Sequence, residues 1–327
     1  YGIVGSTGLN VVMNAFADVT NYTPFHLISL AFLIAGFGYK IAAVPFHAWA
    51  VDVYQGAPTV VTVFLAAGSK AMGFAGILRI IVVGMNNLDQ TWSVAFAVLA
   101  VFTMTLGNVV ALVQENIKRM LAYSSIAHAG YVLIPFAAMA GQHSSNTVAG
   151  LSFTVATFSI AAIGVHVLVH AIMKAMAFIA VTVVGLSLRT DSVEGYSGLR
   201  KRHPGVSLAL TVSLLSLMGI PPMAGFFSKL LLFFSAIYAD MIWLAVVGII
   251  NSAISIFYYL RVIKLMYFDE PKDDSKTIVN IDSVKPTTLP TVYNVVLLVG
   301  TILIVAIGIF PMWVFDFAIK AASGILS

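Results

Sequence analysis

The chain has 327 residues, of which 60% are hydrophobic and 9% are charged, against roughly 25% charged in an ordinary soluble domain. No water-facing surface can be built from that composition, and the formal charge of +4 comes from basic residues spread over helix ends, which gives no ground for nucleic-acid binding. With no cysteine, the chain itself can hold neither a disulfide nor a thiolate-ligated iron–sulfur cluster.

The apolar residues fall in blocks of about 20 or more, the length a helix needs to cross a hydrocarbon core of roughly 30 Å. A barrel would need alternating segments of roughly ten residues, whereas the stretch 94–113 is apolar on every face. The expectation is an all-α integral membrane protein, a multi-span helical bundle forming a single transmembrane domain over 1–327. Because it opens at Tyr1 without a methionine or a charged leader, the chain is expected to be the C-terminal part of a longer subunit. In chain order the spans read roughly as 24–51, 58–85, 91–114, 120–141, 147–187, 205–238, 241–266 and 290–313. That makes about eight crossings, with a tail at 314–327. The block 147–187 is long enough for two helices, but basic residues argue for an odd number of crossings there. With one, Lys118 and Arg119, then Arg189, Arg200, Lys201 and Arg202, then Arg261, Lys264, Lys272, Lys276 and Lys285 all fall on one side. The loops near 86–90, 142–146 and 239–240 carry no Lys or Arg, so the basic side is read as cytoplasmic. The charged, turn-rich segment 267–289 is read as a loop on that side.

Two spans carry helix breakers at membrane depth. One reads Gly38-Tyr39-Lys40-Ile41-Ala42-Ala43-Val44-Pro45-Phe46-His47, the other Gly219-Ile220-Pro221-Pro222-Met223-Ala224-Gly225-Phe226-Phe227-Ser228-Lys229. Proline removes a backbone donor and frees a carbonyl, and in lipid such groups survive inside protein or beside a watery cavity. Proline is also common as a packing kink in membrane helices. A lysine near each of Pro45 and Pro221-Pro222 favours the other reading, a transporter-like pair of broken helices facing an ion path.

Lys40, Lys70, Lys174 and Lys229 lie within apolar spans, where an ionised side chain costs at least about 2.5 kcal/mol on insertion scales. Lys40 and Lys229 could partly snorkel toward an interface; Lys70 is more central. Desolvation penalises the ammonium and neighbouring charges modulate that penalty, so such lysines suit proton exchange. His166, His170 and Lys174 follow one another at intervals of four and therefore share one helix face. His128, beside Ser124 and Ser125, is either a proton station or a satisfied interhelical hydrogen bond. His166 and His170 also have the spacing of a metal-ligand pair, but no glutamate or third ligand is near them in sequence, and no metal or cofactor site is expected.

The runs Gly36-Phe37-Gly38-Tyr39-Lys40, Pro45-Phe46-His47-Ala48-Trp49 and Asp52-Val53-Tyr54-Gln55-Gly56-Ala57-Pro58-Thr59 resemble the subunit N family of respiratory complex I. The similarity continues through Ser69-Lys70, Gly107-Asn108, the run 116–131 and Gly219-Ile220-Pro221-Pro222 to Lys229, covering roughly 24–266. The resemblance implies a subunit of about fourteen helices with antiporter-like inverted repeats, each holding a broken helix. It further implies a non-catalytic, proton-translocating role in a redox-driven quinone oxidoreductase, fed by NADH or, in archaeal relatives, another reduced cofactor. By motif, Lys40, Lys70 and Lys229 match the family's lysines and His128 and Lys174 lie between them, with His47, His166 and His170 as secondary stations. The glutamate partner of Lys40 would come from an upstream helix. Iron–sulfur clusters, flavin and quinone would reside in partner subunits, and the neighbours would be other membrane-arm subunits and lipid. The setting would be an energy-transducing membrane: a prokaryotic cell membrane, or an organelle inner or thylakoid membrane.

Single motifs are shared with multisubunit cation/proton antiporters, which remain an alternative, as does a purely structural membrane subunit. Lys174 departs from several subunit N sequences, and 143–160 is longer than usual for the family.

Overall fold

The computed structural model describes residues 1–16, 24–84, 89–140, 145–148, 151–271 and 291–326. A short helix, α1 (Leu9–Ala15), precedes the first membrane-length helix, α2 (Pro24–Ile41). The chain then breaks around Val44-Pro45, with Ala42 at φ 58°, before resuming as α3 (Ala48–Gly56). A span over Thr59–Val82 follows, made of α4 (Thr59–Phe64), a π turn at Leu65–Ser69, α5 (Lys70–Leu78) and a second π turn at Arg79–Gly84. Next come α6 (Asp89–Leu112) and α7 (Ile117–Ala138). Asn116 opens α7 by accepting from the Lys118 and Arg119 amides at 2.9 and 3.1 Å, which satisfies donors that a helix start leaves unpaired.

The long block resolves as one helix, α8 (Val155–Leu188), capped by Thr154 through the Thr157 amide at 3.1 Å and ended by Arg189 in the left-handed conformation. A single crossing here agrees with the distribution of basic residues. After a short helix α9 (Leu199–Arg202), the expected span 205–238 is two helices, α10 (Pro204–Met218) and α11 (Ala224–Tyr238), separated by the Pro221-Pro222 break. Then α12 (Ile242–Phe268) and α13 (Thr291–Ile309) cross, and α14 (Met312–Leu326) closes the described chain.

Seven helices among the described residues are long and apolar enough to cross a membrane, and the α10–α11 pair adds a broken crossing. The chain is an integral membrane bundle. At its centre is α7, buried over almost its whole length and packed by α6, α8, α11 and α3. The α6–α7 crossing is backbone to backbone: a Cβ on Gly130 would meet the Met104 nitrogen at 2.5 Å, and one on Gly107 the Ala127 nitrogen at 2.6 Å.

Three details refine the expectations. The tail 314–327 is helical over most of its length, because Val314, Phe315 and Ala322 form an apolar side that packs on α8. The bundle is all-α as expected, with one short hairpin added: β1 (Ser145–Val148) pairs antiparallel with β2 (Leu151–Thr154), inside the stretch that looked long by family standards. The two breaks shorten the first and sixth spans to helices ending at Ile41 and Met218. Of the loop expected over 267–289, residues 272–289 lie outside the described residues.

The basic loops meet on one side of the bundle. There Lys118 pairs with Asp191 at 2.9 Å, Arg119 with Asp52 at 3.0 Å and Lys201 with Glu270 at 2.6 Å.

Candidate functional site

Lys70 follows directly on the first π turn, a local widening that commonly re-aims side chains at functional positions. Its ammonium points inward and donates to the Ser125 carbonyl and, at 2.9 Å, to the Ser125 hydroxyl on α7. The neighbouring Ser124 serves another lysine: Lys174, on α8, donates to the Ser124 hydroxyl at 2.7 Å and to the Leu121 carbonyl at 2.9 Å. Consecutive serines on the buried helix thus hold two lysines from different helices.

Between them lies a histidine cluster. His128 Nδ1 and His166 Nε2 are 3.1 Å apart, their rings stacked with centroids at 5.3 Å, and His166 Nδ1 lies 3.0 Å from the Ser228 hydroxyl of α11. The His170 ring is 4.9 Å from that of His128. Its Nε2 is buried without a hydrogen-bond partner among the described residues. Lys70, His128 and His170 share the lining of a cavity of about 10 Å³, the room one water needs.

Lys229, next to Ser228 on α11, finishes the row at the second break. Pro222 lacks the amide that a continuous helix would use to bond the Met218 carbonyl four residues earlier. That carbonyl accepts instead from the Lys229 ammonium at 3.0 Å and from the Ser252 hydroxyl of α12 at 3.3 Å. Lys229 also donates to Ser252 at 2.9 Å and sits 5.0 Å from the Tyr131 ring centroid. Gly219, at φ 85°, allows this: a Cβ there would be 3.1 Å from Lys229 Cδ.

A further set of polar groups braces the row from behind. Asn108 donates to the Met104 carbonyl at 2.8 Å and to the Tyr131 hydroxyl at 2.9 Å, and its carbonyl oxygen accepts from Tyr258 at 3.0 Å. The Tyr258 ring packs on Tyr259 with centroids 4.3 Å apart, and the Tyr259 hydroxyl is hydrogen-bonded to Ser124. A chain of contacts therefore joins the serine that holds Lys174 to the ring beneath Lys229. Tyr258, Tyr259 and Ser252 carried no signal in the sequence beyond ordinary helix packing; the freed Met218 carbonyl could have been found by counting back four residues from Pro222.

The structure brings together Lys70, His128, His166, His170, Lys174 and Lys229. It does not bring Lys40 to them. That residue is on the exposed side of the last turn of α2, its stem beside Gly73, and among the described residues its ammonium has no hydrogen bond or ion pair. Only His26, Leu30, Gly38 and Ile41 of α2 are buried, so the helix turns most of its surface outward and carries Lys40 with it. His47 sits in the first break, half-buried, with Nδ1 unpaired among the described residues. Pro45, Pro221 and Pro222 all fall in the breaks. Among the described residues no carboxylate is buried with the lysines, and no group of three or more His, Cys, Asp or Glu is placed to hold a metal ion.

Broken helices, buried lysines and a histidine cluster inside a bundle of membrane-length helices define an antiporter-like membrane subunit. Residues 1–255 match the family described as "NADH:quinone oxidoreductase/Mrp antiporter, TM", and the chain belongs to it. It is 40% identical over 331 residues to the F(420)H(2) dehydrogenase subunit N of Methanosarcina mazei, across 98% of this chain and 62% of that protein. A chain of respiratory complex I from Thermus thermophilus is 28% identical with a TM-score of 0.72, covering 96% of this chain and 61% of that one. A chain of the Mrp complex from Dietzia shares the fold, with a TM-score of 0.83 at 20% identity over 100% of this chain and 64% of that one. The chain spans about six-tenths of the length of the curated relatives it matches, 62% and 59% for two of them.

Proposed function

We propose that this chain is a proton-translocating membrane-arm subunit of a redox-driven quinone oxidoreductase, working among other membrane-arm subunits in an energy-transducing membrane. The observation that carries this reading is the buried row from Lys70 through His128 and His166 to Ser228 and Lys229, with Lys174 beside it and no carboxylate among these groups. Several amines in a medium of low dielectric, without a counter-charge, oppose each other's protonation. A proton arriving at one lysine therefore favours release from the next, and lateral transfer needs no bond chemistry. The driving step is a shift of a few kcal/mol between two arrangements of the row, imposed by neighbouring subunits. Electron carriers and the quinone belong, in this reading, to those neighbours. The 40% identity with an F(420)H(2) dehydrogenase subunit N and with an NAD(P)H-quinone oxidoreductase subunit 2 supports the redox setting.

A cation/proton antiporter subunit is the second reading, favoured by the shared fold of the Mrp chain. It would use the same lysines without electron transfer. The test is proton pumping and electron transfer measured side by side in membrane vesicles, for Lys229→Met and Lys70→Met separately. The relay predicts assembled complexes with reduced pumping. Normal pumping in both variants would make these lysines structural, and sodium-dependent transport without electron transfer would select the antiporter.

A further inference from the structure

Away from the row, on the side of the basic loops, lies a cavity of about 480 Å³ lined by the ends of four spans, with Tyr293 from the start of α13 among its walls. Arg189 and Asp191 come from the turn that ends α8, Lys118 from the start of α7, and Val60 from the first turn of α4. The cavity is therefore at the level where the bundle leaves the hydrocarbon core.

Its chemistry is graded. Asp191 holds Lys118 at 2.9 Å, so two cations face one carboxylate and a single positive charge is left over. Among the described residues the Arg189 guanidinium has no hydrogen-bond or ion-pair partner. Thr190 accepts from the Ser192 amide at 3.1 Å, which leaves its O–H free to donate. Beside these polar groups Val60 and Leu186 are 64% and 61% exposed, an apolar edge that continues into the membrane.

We propose that this cavity seats the headgroup of an anionic phospholipid. Its phosphate lies on Arg189 with the Thr190 hydroxyl as a further donor and Lys118 adding charge, and its acyl chains run over Leu186 and Val60. A soluble anion would satisfy the cations and leave both apolar side chains uncovered. A choline headgroup would bring a fixed cation into a site that already holds one uncompensated positive charge. Basic clefts between membrane helices on the cytoplasmic side are suited to acidic headgroups in this way. The site is separate from the buried row and stands whether or not that row conducts protons.

The test counts lipids retained by the purified full-length complex, using native mass spectrometry after delipidation and titration with phosphatidylglycerol. Asparagine tolerates the left-handed conformation of residue 189, so Arg189→Asn removes the charge without straining the turn. The expected result is about fivefold weaker phosphatidylglycerol retention in Arg189→Asn, wild-type retention in Arg200→Asn, whose guanidinium lies instead over Tyr267, and no comparable retention of phosphatidylcholine. Equal retention in wild type and Arg189→Asn would overturn the proposal. So would equal retention of the two lipids, and displacement of phosphatidylglycerol by millimolar inorganic phosphate would reduce the site to a simple anion pocket.

Discussion

The Lys229 ammonium stands 5.0 Å from the centroid of the Tyr131 ring while donating to the Met218 carbonyl at 3.0 Å. The ring comes from the most buried helix and the carbonyl from the end of a broken one, so the lysine's seat exists only where α7, α10 and α11 meet. A desolvated cation over an aromatic face gains about 2 kcal/mol. Tyr131→Phe keeps the face, Tyr131→Leu removes it. Pumping in vesicles is expected to stay near wild type for the phenylalanine variant and to fall several-fold for the leucine variant at equal assembly. If the leucine variant pumps as well as the phenylalanine one, the ring does not hold Lys229.

Asn108 is the hub behind that ring. It is fully buried, and its amide serves Met104, Tyr131 and Tyr258 at once. Asn108→Leu takes the Asn108 partner from both the Tyr258 and the Tyr131 hydroxyl, at about 1–3 kcal/mol for each buried group left unsatisfied. A lower thermal midpoint is expected for Asn108→Leu than for Tyr258→Phe, which leaves the Asn108–Tyr131 bond in place. Equal midpoints would mean the network is filled by other partners.

The spans, both breaks and the stripe of His166, His170 and Lys174 were legible in the sequence because each depends on one helix alone: its length, its prolines, its period. What crosses between helices was not. Nothing in the order of residues tells that Ser124 and Ser125 take lysines from two different neighbours, or that Tyr258 and Tyr259 are part of a hydrogen-bonded brace and not plain packing surface. The position of Lys40 was hidden for the same reason, since only the packing of α2 among the described residues decides which way it faces. The π turn before Lys70 has no residue signature in Leu65-Ala66-Ala67-Gly68-Ser69, and α14 reads as a tail until its apolar side is set against α8.

The α6–α7 contact sets the geometry of the whole site, since Asn108 comes from one helix and Tyr131, His128 and both serines from the other. At Gly130 an added methyl would need the Met104 backbone to move. Overpacking of this kind costs about 1–3 kcal/mol. Gly130→Ala is expected to reduce the amount of assembled complex on native gels, whereas Gly164→Ala, where a Cβ meets nothing within 4 Å, should leave it unchanged. Full assembly of Gly130→Ala would mean the two helices separate at little cost.

The last gap in the row is between Lys70 and the histidines. No direct hydrogen bond joins them among the described residues, yet Lys70, His128 and His170 line one cavity of about 10 Å³, and His170 Nε2 lacks a protein partner among the described residues. A single water has the size and the polar neighbours to bridge there. Ala129 lines the same cavity from α7. Ala129→Val fills the space with carbon, while Ala129→Ser adds a hydroxyl that can take the water's place. If protons cross at this point, the valine variant pumps less than wild type with every lysine and histidine intact, and the serine variant keeps most of its pumping. Undiminished pumping in Ala129→Val would take Lys70 out of contact with the histidine cluster and require protons to reach Lys174 and Lys229 by another path.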